Sequence, residues 1–389
     1  MRVPVFHGLS PLDLIRPRRE PTTFPFDAPE GMSFYRARNA IYYLFLALVQ
    51  RRRRLTVLVP DYNSGNEVLA IRAAGASIEY CPVGPDMGMD SDEVERLCDV
   101  HRPDVLYVIH YAGWPQPIAR LVELCRRRHM LLVEDCALAL LSETDGRPLG
   151  SFGDWSVFCL YKTLPLPNGA LLVRTSDREE PLAPVPLRSA GAPSTIGRIA
   201  ELFVQRARMR TGAAGTALST LKQAAGRVVS AAGIRRATVG DIGFDLSQVD
   251  LAMSGISHRL LERIDVTSIR ERRTANLRAL SAQLGDGISR PLPDPEPGVC
   301  PLFLPVLVPD KRAAAAALAT RGIEALEFWN DSIEPDGREM SPNARFLREH
   351  VLELPLHQDL TERHMTYMAD CLSRLDLKVS HGCHRILAA

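Results

Sequence analysis

The segment 131–173 reads LLVEDCALALLSETDGRPLGSFGDWSVFCLYKTLPLPNGALLV, three short apolar runs that each close on a charged residue. The first ends in the carboxylate pair Glu134 and Asp135. A glycine-containing turn leads to the second, residues 155–160, which is followed by Lys162 in a loop punctuated by Pro165, Pro167 and Gly169. The third occupies residues 170–173. Short buried strands that end in single charged residues are where open α/β sheets place chemistry, because ligands bind beyond the carboxyl ends of the strands.

An aspartate at one strand end and a lysine at another suit a cofactor that needs a carboxylate for a protonated ring nitrogen and an amine for covalent attachment. Pyridoxal 5'-phosphate (PLP) is such a cofactor. The motifs EDCALA (134–139), GSFGDWSVFCLYK (150–162) and NGALLV (168–173) resemble the core of the DegT/DnrJ/StrS sugar-aminotransferase family, whose pattern is roughly VEDAAQA, GSFGDAAxFSF, a lysine and GGAVV. The short gap before Lys162 and the prolines after it are similar to a branch reading S-x-R-K-x-x-P-x-P-x-G. The resemblance runs from about residue 33 to about residue 375.

It implies a fold-type I PLP-dependent architecture: a large α/β domain around a mainly parallel seven-stranded sheet, and a small C-terminal α+β domain. The boundaries expected are an N-terminal arm at 1–32, a large domain at 33–265 carrying an insertion at 181–240, a small domain at 266–380 and a tail at 381–389. By resemblance Asp135 pairs with the cofactor ring nitrogen, and Lys162 bonds to the cofactor and then moves a proton. Three positions depart from the pattern. Leu138 replaces a residue that bonds the phenolic oxygen, Cys159 a phosphate-binding serine and a poor substitute as a donor, and Tyr161 an arginine.

With 389 residues the chain can bury a large core, and its length suggests two domains. A formal net charge of +1 gives no electrostatic case for nucleic acid. Eight scattered cysteines without a CxxC pair, and no signal peptide after Met1, point to a reducing, cytoplasmic setting. The longest uncharged apolar run, 40–49, is well short of the ~20 residues a membrane span needs. The tail motif His381-Gly382-Cys383-His384 is too compact for a zinc site, and no metal is expected.

Residues 1–32 are rich in proline and mixed charge and read as an extended arm, either crossing a partner subunit or forming a loose lead-in. The pattern at 33–50 predicts a buried helix. Backbone amides near Ala37, together with Arg38, are the candidate phosphate contacts, although Arg36 and Ala37 stand where the family has a small residue and glycine. In the loop PDYNSGNE, Tyr62 either stacks on the cofactor ring or is a core aromatic, and Asn63 is a second candidate. Runs at 55–59, 78–82 and 105–110 with intervening helices repeat the β-α-β rhythm of a parallel sheet. His110 either touches cofactor or substrate or caps its strand.

From 181 to 240 eight arginines and Lys222 stand against a single acid, Glu201. Two basic amphipathic helices are expected there, contacting a phosphorylated substrate, an anionic membrane surface, or only solvent. Residues 244–278 read as a short entry and a long helix. The resemblance implies that this entry reaches a neighbouring subunit's site, which makes Ser254 a candidate for a cross-subunit contact. A strand at 301–308, a helix at 311–321, a second strand at 322–329 and a helix at 361–375 complete the small domain. His357, in the LPLHQDL turn, lines the substrate cleft or packs the turn.

The resemblance implies a homodimer that transfers an amino group, from glutamate, to a ketone of a nucleotide-linked sugar or similar polyol. The rival readings are a dehydrating relative, which Lys162 argues against, a non-catalytic relative that binds cofactor or sugar, and a protein acting at a membrane surface on lipid-linked sugar.

Overall fold

Residues 56–60, 105–109, 131–135 and 155–159 are dominated by apolar and β-branched side chains without a polar face, which suits strands covered on both sides. The computed structural model describes residues 1–18, 22–52, 54–211, 243–285, 287–330, 340–375 and 377. Its strands in chain order begin β1 (Gly31–Phe34), β2 (Thr56–Pro60), β3 (Ser77–Cys81), β4 (Val105–Ile109) and β5 (Leu131–Asp135). A small hairpin of β6 (Glu143–Thr144) and β7 (Arg147–Pro148) follows, then β8 (Trp155–Cys159) and β9 (Ala170–Arg174). The seven-stranded sheet has the order β1-β9-β8-β5-β4-β2-β3. Its five central and distal strands are parallel, whereas β9 runs antiparallel to β8 and β1 antiparallel to β9. The chain steps from β2 outward to β3 and then returns to β4 on the other side of β2. That reversal opens a crevice at the carboxyl edge.

Helices α1 (Ala37–Arg51), α2 (Asn66–Ala73), α3 (Ser91–His101) and α4 (Ile118–Arg127) supply the crossovers. The ends of α3 follow local rules: Asp90 accepts a hydrogen bond from the Asp92 amide, and Arg102 closes the helix in the left-handed conformation. The helix expected to start at residue 33 begins at Ala37, because Ser33 and Phe34 pair with Leu171 and Ala170 of β9.

The C-terminal unit is a three-stranded antiparallel sheet of β10 (Phe303–Leu307), β11 (Leu326–Glu327) and β12 (Val351–Pro355), in the order β10-β12-β11. Helices Val266–Ser281, Lys311–Thr320, Pro342–His350 and Glu362–Ser373 surround it. The strand expected at 322–329 is only two residues long, and the central strand is β12, a stretch running into the LPLHQDL turn where no strand was expected. The segment 244–278 forms two helices, Gly255–Leu261 and Val266–Ser281, capped separately by Ser254 and Asp265.

The N-terminal arm is no loose lead-in. Val3 bridges to Ile323, the Gly8 amide donates to Asp359 Oδ2 (2.8 Å) and the Leu9 amide to Leu202 O (3.1 Å), with Val3 and Leu9 fully buried. The arm lies on its own chain's C-terminal unit and on α6 (Ala192–Thr211), the first of the basic helices. Three arginines of α6 are turned to carboxylates: Arg198 pairs with Glu201, Arg206 with Asp359 and Arg208 with Glu324. The second basic helix, expected within 212–240, lies outside the described residues. Among the described residues no helix is long and apolar enough to cross a membrane.

Candidate active site

Beyond the carboxyl ends of β2, β4, β5 and β8, a cavity of about 630 Å³ is enclosed by the sheet edge, the N-terminus of α1, the C-terminal unit, the arm and α6. Asp135, the last residue of β5, and Lys162, in the one-turn helix α5 (Leu160–Thr163) after β8, both line it. β5 and β8 are adjacent parallel strands, so their ends bring the two side chains into one space. The loop bearing Lys162 is tied to the C-terminal unit, since Arg273 Nη2 and Gln358 Nε2 both donate to Thr163 O, at 3.3 and 3.1 Å. Burial lowers the fully buried Arg273 guanidinium to about 10, but its four hydrogen bonds to carbonyls and Gln358 satisfy it.

Asp135 is held at both oxygens. Tyr107 Oη of β4 donates to Oδ2 (2.6 Å) and the Ala137 amide to Oδ1 (2.8 Å). Burial raises its carboxyl, opposed by the Tyr107 and Ala137 bonds and by the charge of Lys162. A second carboxylate, Glu67 on α2, also lines the cavity and is bound by the Ser64 amide (2.7 Å) and hydroxyl (2.5 Å). Burial, and then the charge of Asp135, raises Glu67.

Glu134, the neighbour of Asp135, points elsewhere and braces the GSFGD loop. It accepts the amides of Gly150 (2.9 Å), Phe152 (2.7 Å) and Gly153 (2.7 Å) and faces His110 Nε2 (3.2 Å). A Cβ on Gly153 would meet Leu132 Cδ2 at 2.4 Å and Leu132 O at 2.7 Å, so close packing of the loop against β5 demands glycine. His110, Glu134 and Cys136 lie within ligand distance of one another. Both His110 nitrogens and both Glu134 oxygens are already hydrogen-bonded, so the group serves as a polar brace.

The sequence candidates divide. Asp135, Lys162, Ala37, Arg38, Leu138, Cys159 and His357 all line the cavity. Tyr62 and Asn63 do not. Tyr62 is fully buried among Tyr111, Phe328 and Trp329, beneath the Arg348 guanidinium. Asn63 folds its own loop, donating to Pro60 O and accepting from the Gly65 amide. The same loop instead presents Ser64, Asn66 and Glu67. His110 is buried off the cavity, with Nδ1 accepting from the Gln116 amide (3.0 Å), so it holds its strand end. Ser254 caps its helix through the Ser257 amide and lies outside the cavity. His357 is held between Pro4 O and the Asp359 amide, and burial keeps it well below the usual histidine range.

Sequence reading missed Tyr107, Glu67, His7 and Glu353. A phenol inside the apolar strand VLYVI and a lone carboxylate inside VLELPL were the available signals. His7 comes from the arm, and only the tertiary fold places it there.

The donor set fits PLP. Asp135 offers a buried carboxylate for a cationic ring nitrogen, and Lys162 a primary amine. The N-terminus of α1 offers a positive dipole end whose N-cap, Arg36, makes no side-chain capping bond. Arg36 and Arg38 line the same wall, Arg38 being braced by Asn66 Oδ1 (3.1 Å) and Gly243 O. Cys159 and Leu138 complete the wall with apolar surface.

The chain is 29% identical over 147 residues to a dTDP-4-dehydro-2,3,6-trideoxy-D-glucose 4-aminotransferase of Saccharopolyspora spinosa, covering 37% of this chain and 38% of that protein. It thus spans little more than a third of the length of the curated relatives it matches. The aminotransferase TlmJ of Streptoalloteichus hindustanus superimposes with a TM-score of 0.64 at 21% identity, covering 100% of both chains. The PLP form of Streptococcus pneumoniae Spr1654 gives 0.66 at 16% identity, covering 95% of this chain and 97% of that one. These likenesses establish the PLP-dependent transferase fold. The model of the DegT/DnrJ/EryC1/StrS aminotransferase family matches residues 39–373, and the chain belongs to that family.

Proposed function

We propose that the protein is a PLP-dependent aminotransferase that moves an amino group, from glutamate, onto the keto carbon of a nucleotide-linked sugar, as a cytoplasmic homodimer in amino-sugar biosynthesis. The observation that carries this reading is the convergence of Asp135 and Lys162 on one cavity at the carboxyl edge of the sheet. When bound, PLP supplies an electrophilic carbon that carries the amino group between two substrates and a ring that takes up electrons. Asp135 and Lys162 would hold its ring nitrogen and its reactive carbon. The amides of the first α1 turn, with Arg36 and Arg38, would hold its phosphate.

The chain's own residues then divide the work. Asp135, fixed by Tyr107 and Ala137, keeps a directed negative charge at the end of β5. Lys162 Nζ takes up and returns the proton that must move when nitrogen changes carriers. Arg273 and Gln358 hold the Lys162 loop through Thr163 O. The arm and α6 narrow the cavity and exclude water.

The test is an amination assay with glutamate and a panel of dTDP-, GDP- and UDP-linked keto sugars, run beside Lys162→Ala. Amino-sugar formation by the parent alone supports the reading. Cofactor binding without amination of any acceptor would favour the non-catalytic alternative suggested by Leu138 and Cys159.

A further inference from the structure

Glu353 occupies the centre of β12, between Pro305 of β10 and Leu326 of β11. The other four residues of its strand, Val351, Leu352, Leu354 and Pro355, are buried and apolar. Glu353 itself is only partly buried, opening onto the cavity instead of packing in the core, and a carboxylate in such a strand adds nothing to packing. Among the described residues, its carboxylate makes no hydrogen bond and no ion pair. It lines the same cavity as Lys162 but from the opposite, C-terminal unit. Lys162 and Lys311 are the cations it senses, yet burial outweighs them and raises its carboxyl to about 8. Lys311 is already committed, donating to Phe328 O at 2.9 Å. A polar residue that breaks the local apolar rule, faces a ligand cavity and has no hydrogen-bond partner among the described residues is placed for a ligand group.

We propose that Glu353 is a specificity-determining residue that hydrogen-bonds a hydroxyl of the sugar portion of the substrate, on the C-terminal side of the cavity. This rests on the sugar-nucleotide reading of the site. It assigns recognition of the sugar ring to β12, whereas the large domain holds the cofactor through Asp135, Lys162 and the start of α1. Trp329 lines the same cavity, its ring stacked on Phe328. A site built to bond a hydroxyl discriminates strongly against ligands that lack one, because the site's own polar group is then left unpaired.

The experiment uses the full-length, PLP-loaded protein and two variants, Glu353→Gln and Glu353→Leu. Calorimetry measures the affinities of dTDP-glucose, GDP-mannose and UDP-N-acetylglucosamine against those of dTDP, GDP and UDP. The parent is expected to bind at least one sugar nucleotide roughly tenfold or more tighter than its bare nucleotide. Glu353→Leu should erase that margin and Glu353→Gln should keep part of it. Both should load PLP as the parent does, and Glu353→Leu should melt no lower than the parent. No margin in the parent, a margin unchanged in both variants, or a Glu353→Leu protein that melts several degrees lower would each overturn the proposal. A parent that shows the margin but never attaches PLP would instead remove the aminotransferase reading and leave the role of Glu353 standing.

Discussion

Asp135 and Tyr107 show how a buried pair sets a site's pH range. The Tyr107 hydroxyl lowers the Asp135 carboxyl against the upward push of burial. In Tyr107→Phe that lowering is lost, so Asp135 takes up its proton at a higher pH as the pH falls. The pH below which PLP affinity collapses should therefore move upward, and affinity at neutral pH should weaken roughly tenfold, the worth of one bond to a charged group. Titrating cofactor binding across pH in parent and variant checks this, and identical profiles would remove Tyr107 from the site. Asp135 and Lys162 were legible in the sequence because each closes an apolar run. Tyr107 was not, because its strand looks uniformly apolar and only the pairing of β4 with β5 places its hydroxyl against Asp135. Tyr62 misled for a related reason. The loop was identified correctly, but its aromatic ring turned inward to Phe328 and Trp329 while Ser64 and Glu67 turned to the cavity.

At the scale of elements, the GSFGD loop runs from β7 to the start of β8 and packs against β5. Glu134 gathers three of its amides, and the Asp154 carboxylate accepts from the Leu132 amide (2.9 Å) and the Ser176 hydroxyl (2.5 Å). Replacing Gly153 by alanine forces a methyl against the Leu132 backbone and should cost about 2 kcal/mol or more in denaturant unfolding. Gly255 provides the control. It opens a helix with nothing within 4 Å of its added Cβ, so Gly255→Ala should be neutral or stabilising by up to about 1 kcal/mol. Equal effects at the two positions would contradict this account of the loop. The motif itself was readable, and so were the crossover helices, whose caps and periodicity are local signals. The strand β12 was not, because VLELP is short and interrupted by a charge that local rules place outside a sheet.

For the whole molecule, the arm closes the cavity from a sequence distance of more than 300 residues. His357 Nε2 meets Pro4 O at 2.9 Å, and His7, buried and lowered to about 3 by burial and by Arg273, lines the cavity. Removing residues 1–9 exposes the sites of Val3 and Leu9, so the truncated chain should lose about 3 kcal/mol or more in unfolding experiments. Binding of sugar nucleotides should weaken as well, because water gains entry. A truncation without effect on either measure would return the arm to the role of a lead-in. Composition alone gave no sign of this packing, since proline and mixed charge mark an exposed segment as readily as one pinned by long-range contacts. The parallel sheet and the cavity at its carboxyl edge, by contrast, followed from the order of apolar runs and charged ends.

The account depends above all on Lys162 being the amine that holds PLP. Incubation with PLP, reduction by borohydride and peptide mapping by mass spectrometry would identify the modified residue. The expected result is a single stoichiometric modification at Lys162, with the accompanying visible absorption lost in Lys162→Ala. Modification spread over surface lysines, or an unmodified Lys162 in protein that otherwise folds, would contradict it.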